Sequence, residues 1–188
     1  MTRPLFIPVI LGTPRQGRMS EHVAHFVLGE LSKRAVIETT LIDIRTLALP
    51  ITDAGEALKD AQFSATMMRA DALVLVVPEY NHGYPGLLKH VLDTNLKEYI
   101  HKAVGICGVS AGALGGTRVI QNLLPVMREL GLVTIFWDGN FPSVQKLFDA
   151  NGALVDQAHL KRMDKFIKEL VWMAQTLRYG RENIPREK

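Results

Sequence analysis

The chain has 188 residues, 47% of them hydrophobic, enough to bury one sizeable core and suited to a single domain over residues 1–188. A net charge of +3, from 22 Lys and Arg against 19 Asp and Glu, is too small an excess to clothe a phosphate backbone, which argues against nucleic-acid binding. One cysteine, Cys107, rules out an internal disulfide and lies in the apolar run KAVGICGV, so it reads as a strand residue in a reducing cytoplasm. No stretch reaches the roughly 18 apolar residues of a membrane span and no signal-peptide pattern opens the chain, so the expected protein is cytoplasmic without membrane insertion.

In chain order the pattern alternates strand and helix. PLFIPVIL (Pro4–Leu11) is a short apolar run ending at Gly12, and Ser20–Leu31 then puts Val23, Phe26, Val27 and Leu31 on one helical face, with Ser20 as N-cap. VIETTLIDI (Val36–Ile44) is β-branched and alternating, and Glu56–Ala70 returns to helical spacing. ALVLVVP (Ala72–Pro78) is continuously apolar, as a central strand covered on both faces should be. A helix over about 86–99, the strand AVGICGV (Ala103–Val109), a helix over about 116–130, the strand LVTIFW and a last helix over about 154–177 complete the chain. Trp137 and Trp172 are expected to pack the end of the sheet and the last helix. The histidines show no metal-ligand spacing, and no metal is expected.

Five strands alternating with five helices imply a doubly wound parallel sheet with helices on both faces. Ligands of such sheets sit beyond the carboxyl ends of the strands, which directs attention to three loops. GTPRQGRMS opens a helix and lacks both GxGxxG and GK[ST]; Thr13, Ser20 and a guanidinium from Arg15 or Arg18 there suit a nest for one phosphate. PEYNHGYPG is stiffened by Pro78 and Pro85 and allows close approach at Gly83 and Gly86, a wall for a flat heteroaromatic ring. SAGALGG can bring bare N–H groups to the opposite edge of that ring.

The stretches GTPRQGRMSEHVA, PEYNHGYPGLLKHVLD and GVSAGALGGTRVIQNLLPVMRELG resemble the signatures of the NADPH-dependent FMN reductase family, flavodoxin-like quinone, chromate and azo-dye reductases. PEYNxxxPGxLKxxxD is the most specific of them. The resemblance implies a flavodoxin-like five-stranded sheet in the order 2-1-3-4-5, one FMN per subunit and a homodimer or homotetramer. By position it implies that Thr13, Arg15 and Ser20 hold the FMN phosphate with Arg18 and Met19 beside them. Pro78, Glu79, Tyr80 and Asn81 would border the isoalloxazine, and Ser110, Gly112 and Gly116 would approach its pyrimidine edge. His82 and Tyr80 would meet substrate. The implied activity is ping-pong transfer of hydride from NADPH or NADH to flavin N5 and on to a small-molecule acceptor: quinone, chromate, azo or nitro compound, or free flavin. No side chain is then needed as catalytic acid or base. A flavodoxin-like electron carrier without nicotinamide turnover is the alternative. Apolar Leu87, Leu88, Val91, Leu92, Leu123 and Val126 exceed one buried helix face, which suggests an intersubunit contact along the helices after PEYN and SAGALGG.

Overall fold

The computed structural model describes residues 3–51 and 58–185. The first strand of the sheet is split into β1 (Leu5–Phe6) and β2 (Val9–Leu11) at Pro8, which has no N–H to give. The ladder nevertheless continues across the split, since the amides of Leu5, Ile7 and Val9 donate in turn to the carbonyls of Val36, Glu38 and Thr40. Those acceptors belong to the neighbouring strand, likewise split into β3 (Ile37–Glu38) and β4 (Leu41–Asp43). On its other side β2 pairs with β5 (Ala72–Pro78), which pairs along its whole length with β6 (Lys102–Val109). The far edge of β6 carries β7 (Leu132–Thr134) and then β8 (Gly139–Phe141). All these pairings are parallel, and with each split strand counted once the order is the flavodoxin-like 2-1-3-4-5.

Helices α1 (Ser20–Ser32) and α5 (Ala158–Asn183) cover one face; α2 (Ala61–Arg69), α3 (Gly86–Asp93) and α4 (Thr117–Glu129) cover the other. Along β5 the residues divide with period two. Val74 and Val76 pack with Val27 and Phe166, while Leu73, Leu75 and Val77 pack with Phe63, Leu88 and Leu123. A strand with both faces inside a core has no polar position, hence its unbroken apolar run. The tip of the Phe166 ring sits against Gly105, where an added Cβ would stand 2.3 Å from Cζ.

Four expectations are corrected. The helix after PEYN stops at Asp93, where the Thr94 hydroxyl donates to the Val91 carbonyl at 2.8 Å and competes with the helical pattern. The last strand leaves the sheet after Thr134, so that Phe136 and Trp137 are 78% and 45% exposed, and Trp172 on α5 is also exposed. Neither tryptophan is a core residue. Finally, Leu88, Val91, Leu92 and Leu123 are wholly buried, and Leu87 and Val126 pack against the same core. The apolar surplus on α3 and α4 is thus taken up inside the subunit, because three helices share that face of the sheet. The expected helix Glu56–Ala70 is observed from Ala61, with residues 56 and 57 outside the described ones. Among the described residues no helix is long and apolar enough to cross a membrane.

Candidate functional site

The loops after β2, β5 and β6 converge at the carboxyl end of the sheet around a cleft of about 400 Å³. The first loop contributes Arg15, Arg18, Met19 and Ser20, the second Pro78, Glu79 and Tyr80, and the third Ser110, with Val144 arriving from beyond β8. This volume falls in the range of small-molecule sites, about 300–1,000 Å³.

In the first loop Thr13 is buried, accepts from the Arg15 amide at 3.3 Å and shares a 3.2 Å hydrogen bond with the Tyr80 hydroxyl. Arg15 is exposed, its guanidinium 5.4 Å from the centre of the Tyr80 ring. Arg18, by contrast, is buried and occupied. It donates to the Thr13 carbonyl and to both carboxylate oxygens of Asp43, with Glu21 3.4 Å from its Nε. Burial works against the charge of Asp43, but hydrogen bonds from Arg18 and Arg45 outweigh it and hold the carboxyl at about 2. Arg18 therefore shapes the loop from behind.

Ser20 is not the N-cap expected of it. Met19 occupies that position and supplies no side-chain hydrogen bond, while Ser20 is the first helical residue, with its hydroxyl buried and without a partner among the described residues. The start of α1 thus has no side-chain cap and combines the positive end of the helix dipole with that hydroxyl, while the Glu21 amide donates to the Arg18 carbonyl at 3.2 Å. The start of α4 is the opposite case. The Glu79 carboxylate accepts from the amides of Arg118 and Val119 at 3.2 and 3.4 Å and already neutralises that end. Of the two helix starts beside the cleft, the one at α1 has no side-chain cap and the one at α4 has a carboxylate.

The second loop is rigid for a reason other than its prolines. Tyr80 and Gly83 exchange backbone hydrogen bonds at 3.0 and 2.9 Å around Asn81 and His82, with φ of +49° and +66°. This is the left-handed pattern of a type I′ turn. Pro85 instead starts α3, and Pro78 ends β5. Asn81 and His82 are exposed and lie outside the cleft lining.

In the third loop Ser110 lines the cleft, its amide donating to Phe141 at 3.1 Å and its hydroxyl to the Gly112 carbonyl at 3.0 Å. Gly112 is exposed outside the lining. Gly116, with φ of +77°, is buried against Gly108; a Cβ on either would come within 2.6 Å of the other's backbone. It brings α4 down onto β6 and does not line the cleft. Asp43, Asn122 and Val144 escaped the sequence reading, since nothing within their own segments marks them. A second cavity of about 300 Å³ lies between Trp137 and α5, lined by no residue of the three loops. Among the described residues no three His, Cys, Asp or Glu side chains are grouped to hold a metal.

Residues 6–139 match the family model described as NADPH-dependent FMN reductase. The chain is 28% identical over 182 residues to a 2-hydroxy-1,4-benzoquinone reductase of a Burkholderia species, a match covering 90% of this chain and 96% of that protein. It is 30% identical over 120 residues to an NADPH azoreductase of a Bacillus species, covering 61% of this chain and 64% of the azoreductase. Its fold superposes on the NAD(P)H:acceptor oxidoreductase FerB of Paracoccus denitrificans with a TM-score of 0.75 at 21% identity, covering 92% of this chain and 98% of FerB. Since the family match takes in all three loops and the strands that carry them, the chain belongs to the NADPH-dependent FMN reductases, oxidoreductases that work with FMN and a nicotinamide nucleotide.

Proposed function

We propose that the chain acts as a single flavodoxin-like domain, a cytoplasmic FMN-dependent NAD(P)H oxidoreductase whose acceptors are quinones or similar small molecules. Chromate, azo and nitro compounds and free flavin belong to the same acceptor class. The observation that carries this reading is the contrast between the start of α1, which has no side-chain cap and an orphaned Ser20 hydroxyl, and the carboxylate-capped start of α4. The names of the azoreductase and benzoquinone reductase relatives support the acceptor class.

Thr13, Arg15 and Ser20 would hold the phosphate, with Met19 presenting main chain and Arg18 keeping the loop in shape. Pro78, Glu79, Tyr80 and Asn81 would border the ring system, and Ser110, Gly112 and Gly116 the loop across from it. FMN, when bound, would supply the redox chemistry, accepting hydride from NADPH or NADH and donating electrons to the acceptor. The protein's share is orientation: hydride transfer needs reacting atoms about 3–3.5 Å apart, and a wall displaced by about 1 Å can cost on the order of 100-fold. Tyr80, tied to Thr13, is suited to that positioning role. A shared slot for nucleotide and acceptor makes the kinetics ping-pong. Initial rates measured across NADPH and quinone concentrations should give parallel double-reciprocal lines, whereas intersecting lines would refute the shared slot. Flavin binding without any NAD(P)H oxidation would leave the electron-carrier alternative.

A further inference from the structure

We propose that Glu79 and Asn122 are positioning residues of the cleft, joining the turn after β5 to the first two turns of α4 so that the flanking loops move as one body. The proposal rests on the reading of the cleft as the flavin site. The two ties run in opposite directions. At its start α4 donates, with the amides of Arg118 and Val119 at 3.2 and 3.4 Å from Glu79 Oε2. One helical turn further, a side chain of α4 donates back, with Asn122 Nδ2 2.6 Å from the His82 carbonyl oxygen. A single tie would leave a hinge, whereas two attachments a turn apart fix both spacing and twist.

The turn needs such support. Asn81 and His82 are both left-handed, a conformation that is costly for residues with a Cβ though Asn and His tolerate it better than most, and the Tyr80–Gly83 bonds close only while both stay there. The His82 carbonyl is the group that must swing if the turn opens, and it is the group Asn122 holds. Helix α4 itself does not depend on these ties, because Val119, Ile120, Leu123 and Met127 anchor it in the core. Variants of the exposed Asn122 are therefore expected to fold.

The experiment titrates FMN and riboflavin by flavin fluorescence against wild type, Glu79→Ala, Glu79→Gln and Asn122→Ala, well below each melting temperature, with stopped-flow reduction by NADPH alongside. Glu79→Ala and Asn122→Ala should each weaken FMN and riboflavin alike by about tenfold and slow reduction, since the ring end of the cleft is loosened. Glu79→Gln keeps a carbonyl acceptor for the two amides and should recover most of the loss. Equal losses for both flavins mark the ring end, in contrast to a phosphate ligand. Unchanged flavin affinity in Asn122→Ala and Glu79→Ala, or a Glu79→Gln variant no better than Glu79→Ala, would overturn the proposal. If Glu79→Ala does not fold, Asn122→Ala decides by itself. Wild type that bound neither flavin would overturn the flavin reading of the cleft and this proposal with it.

Discussion

Arg15 and Arg18 stand three residues apart in one loop and are used in opposite ways. Arg18 is consumed by Asp43, Glu21 and the Thr13 carbonyl, so its charge is spent within the protein. Among the described residues the Arg15 guanidinium faces the Tyr80 ring and no carboxylate, which leaves it available to a phosphate. Arg15→Ala should weaken FMN binding by about 1.5–3 kcal/mol, the range for hydrogen bonds to charged groups, and leave riboflavin binding unchanged in the same fluorescence titration. His82 offers a second test. Its φ of +66° costs a residue with a Cβ roughly 1 kcal/mol, and His82→Gly would create the Asn-Gly pair that type I′ turns favour. That variant should melt about 2–4 °C higher by calorimetry. A raised KM for quinone in it would assign His82 to the substrate, and an unchanged KM would remove that role.

Between α3 and β6 the chain is irregular yet tightly held, and Glu98 is its fastener. Its carboxylate accepts from Lys59 at 2.7 Å, Ser64 at 2.8 Å and the Leu96 amide at 3.1 Å, fastening this stretch to α2. Burial alone would raise its pKa, but these donors win and hold it at about 2, below the ordinary 4.5. A carboxyl whose pKa is depressed in the folded state stabilises fully above its unfolded value and loses that contribution as pH falls toward the folded one. Unfolding free energy should therefore drop between pH 5 and pH 2, with Glu98 supplying on the order of 2 kcal/mol of the fall. Glu98→Gln, followed by urea denaturation across that range, should flatten the acid limb by this amount. Asp43, which Arg18 and Arg45 hold at a similar value, contributes to the part that remains.

At the scale of the whole molecule, the proposed dimer or tetramer must draw its contacts from surface that the subunit has not already used. The buried side chains of α3 and α4 cannot serve, whereas Leu114 in the loop after β6 is 52% exposed. Sedimentation at micromolar concentration with flavin bound should show a dimer or a dimer of dimers, and a monomer there would contradict the assembly.

The parallel sheet with helices on both faces was legible because period-two and period-3.6 patterns mark the elements and crossovers are right-handed, whereas the strand order came from the resemblance to a known family. The unbroken apolar run of β5 placed that strand in the middle for the same reason. The three loops were legible as a group once the strands were aligned, because strand polarity sends all their carboxyl ends to one side. Other features depended on which distant segments meet. Ser20 was read as a cap, since its own segment does not show that Met19 takes that place. The pattern around Trp137 points to packing at the end of the sheet, yet the strand departs from the sheet just before it and leaves the ring 45% exposed. The Arg18–Asp43 pair spans 25 residues, and the contacts of Glu79 and Asn122 with their partners span about 40. The sequence by itself determined which elements form and where their loops gather, because hydrophobic periodicity and chain chirality act locally. Only the tertiary structure decided which charged and polar side chains are spent on one another and which are left for a ligand, because that depends on distances between segments no local pattern encodes.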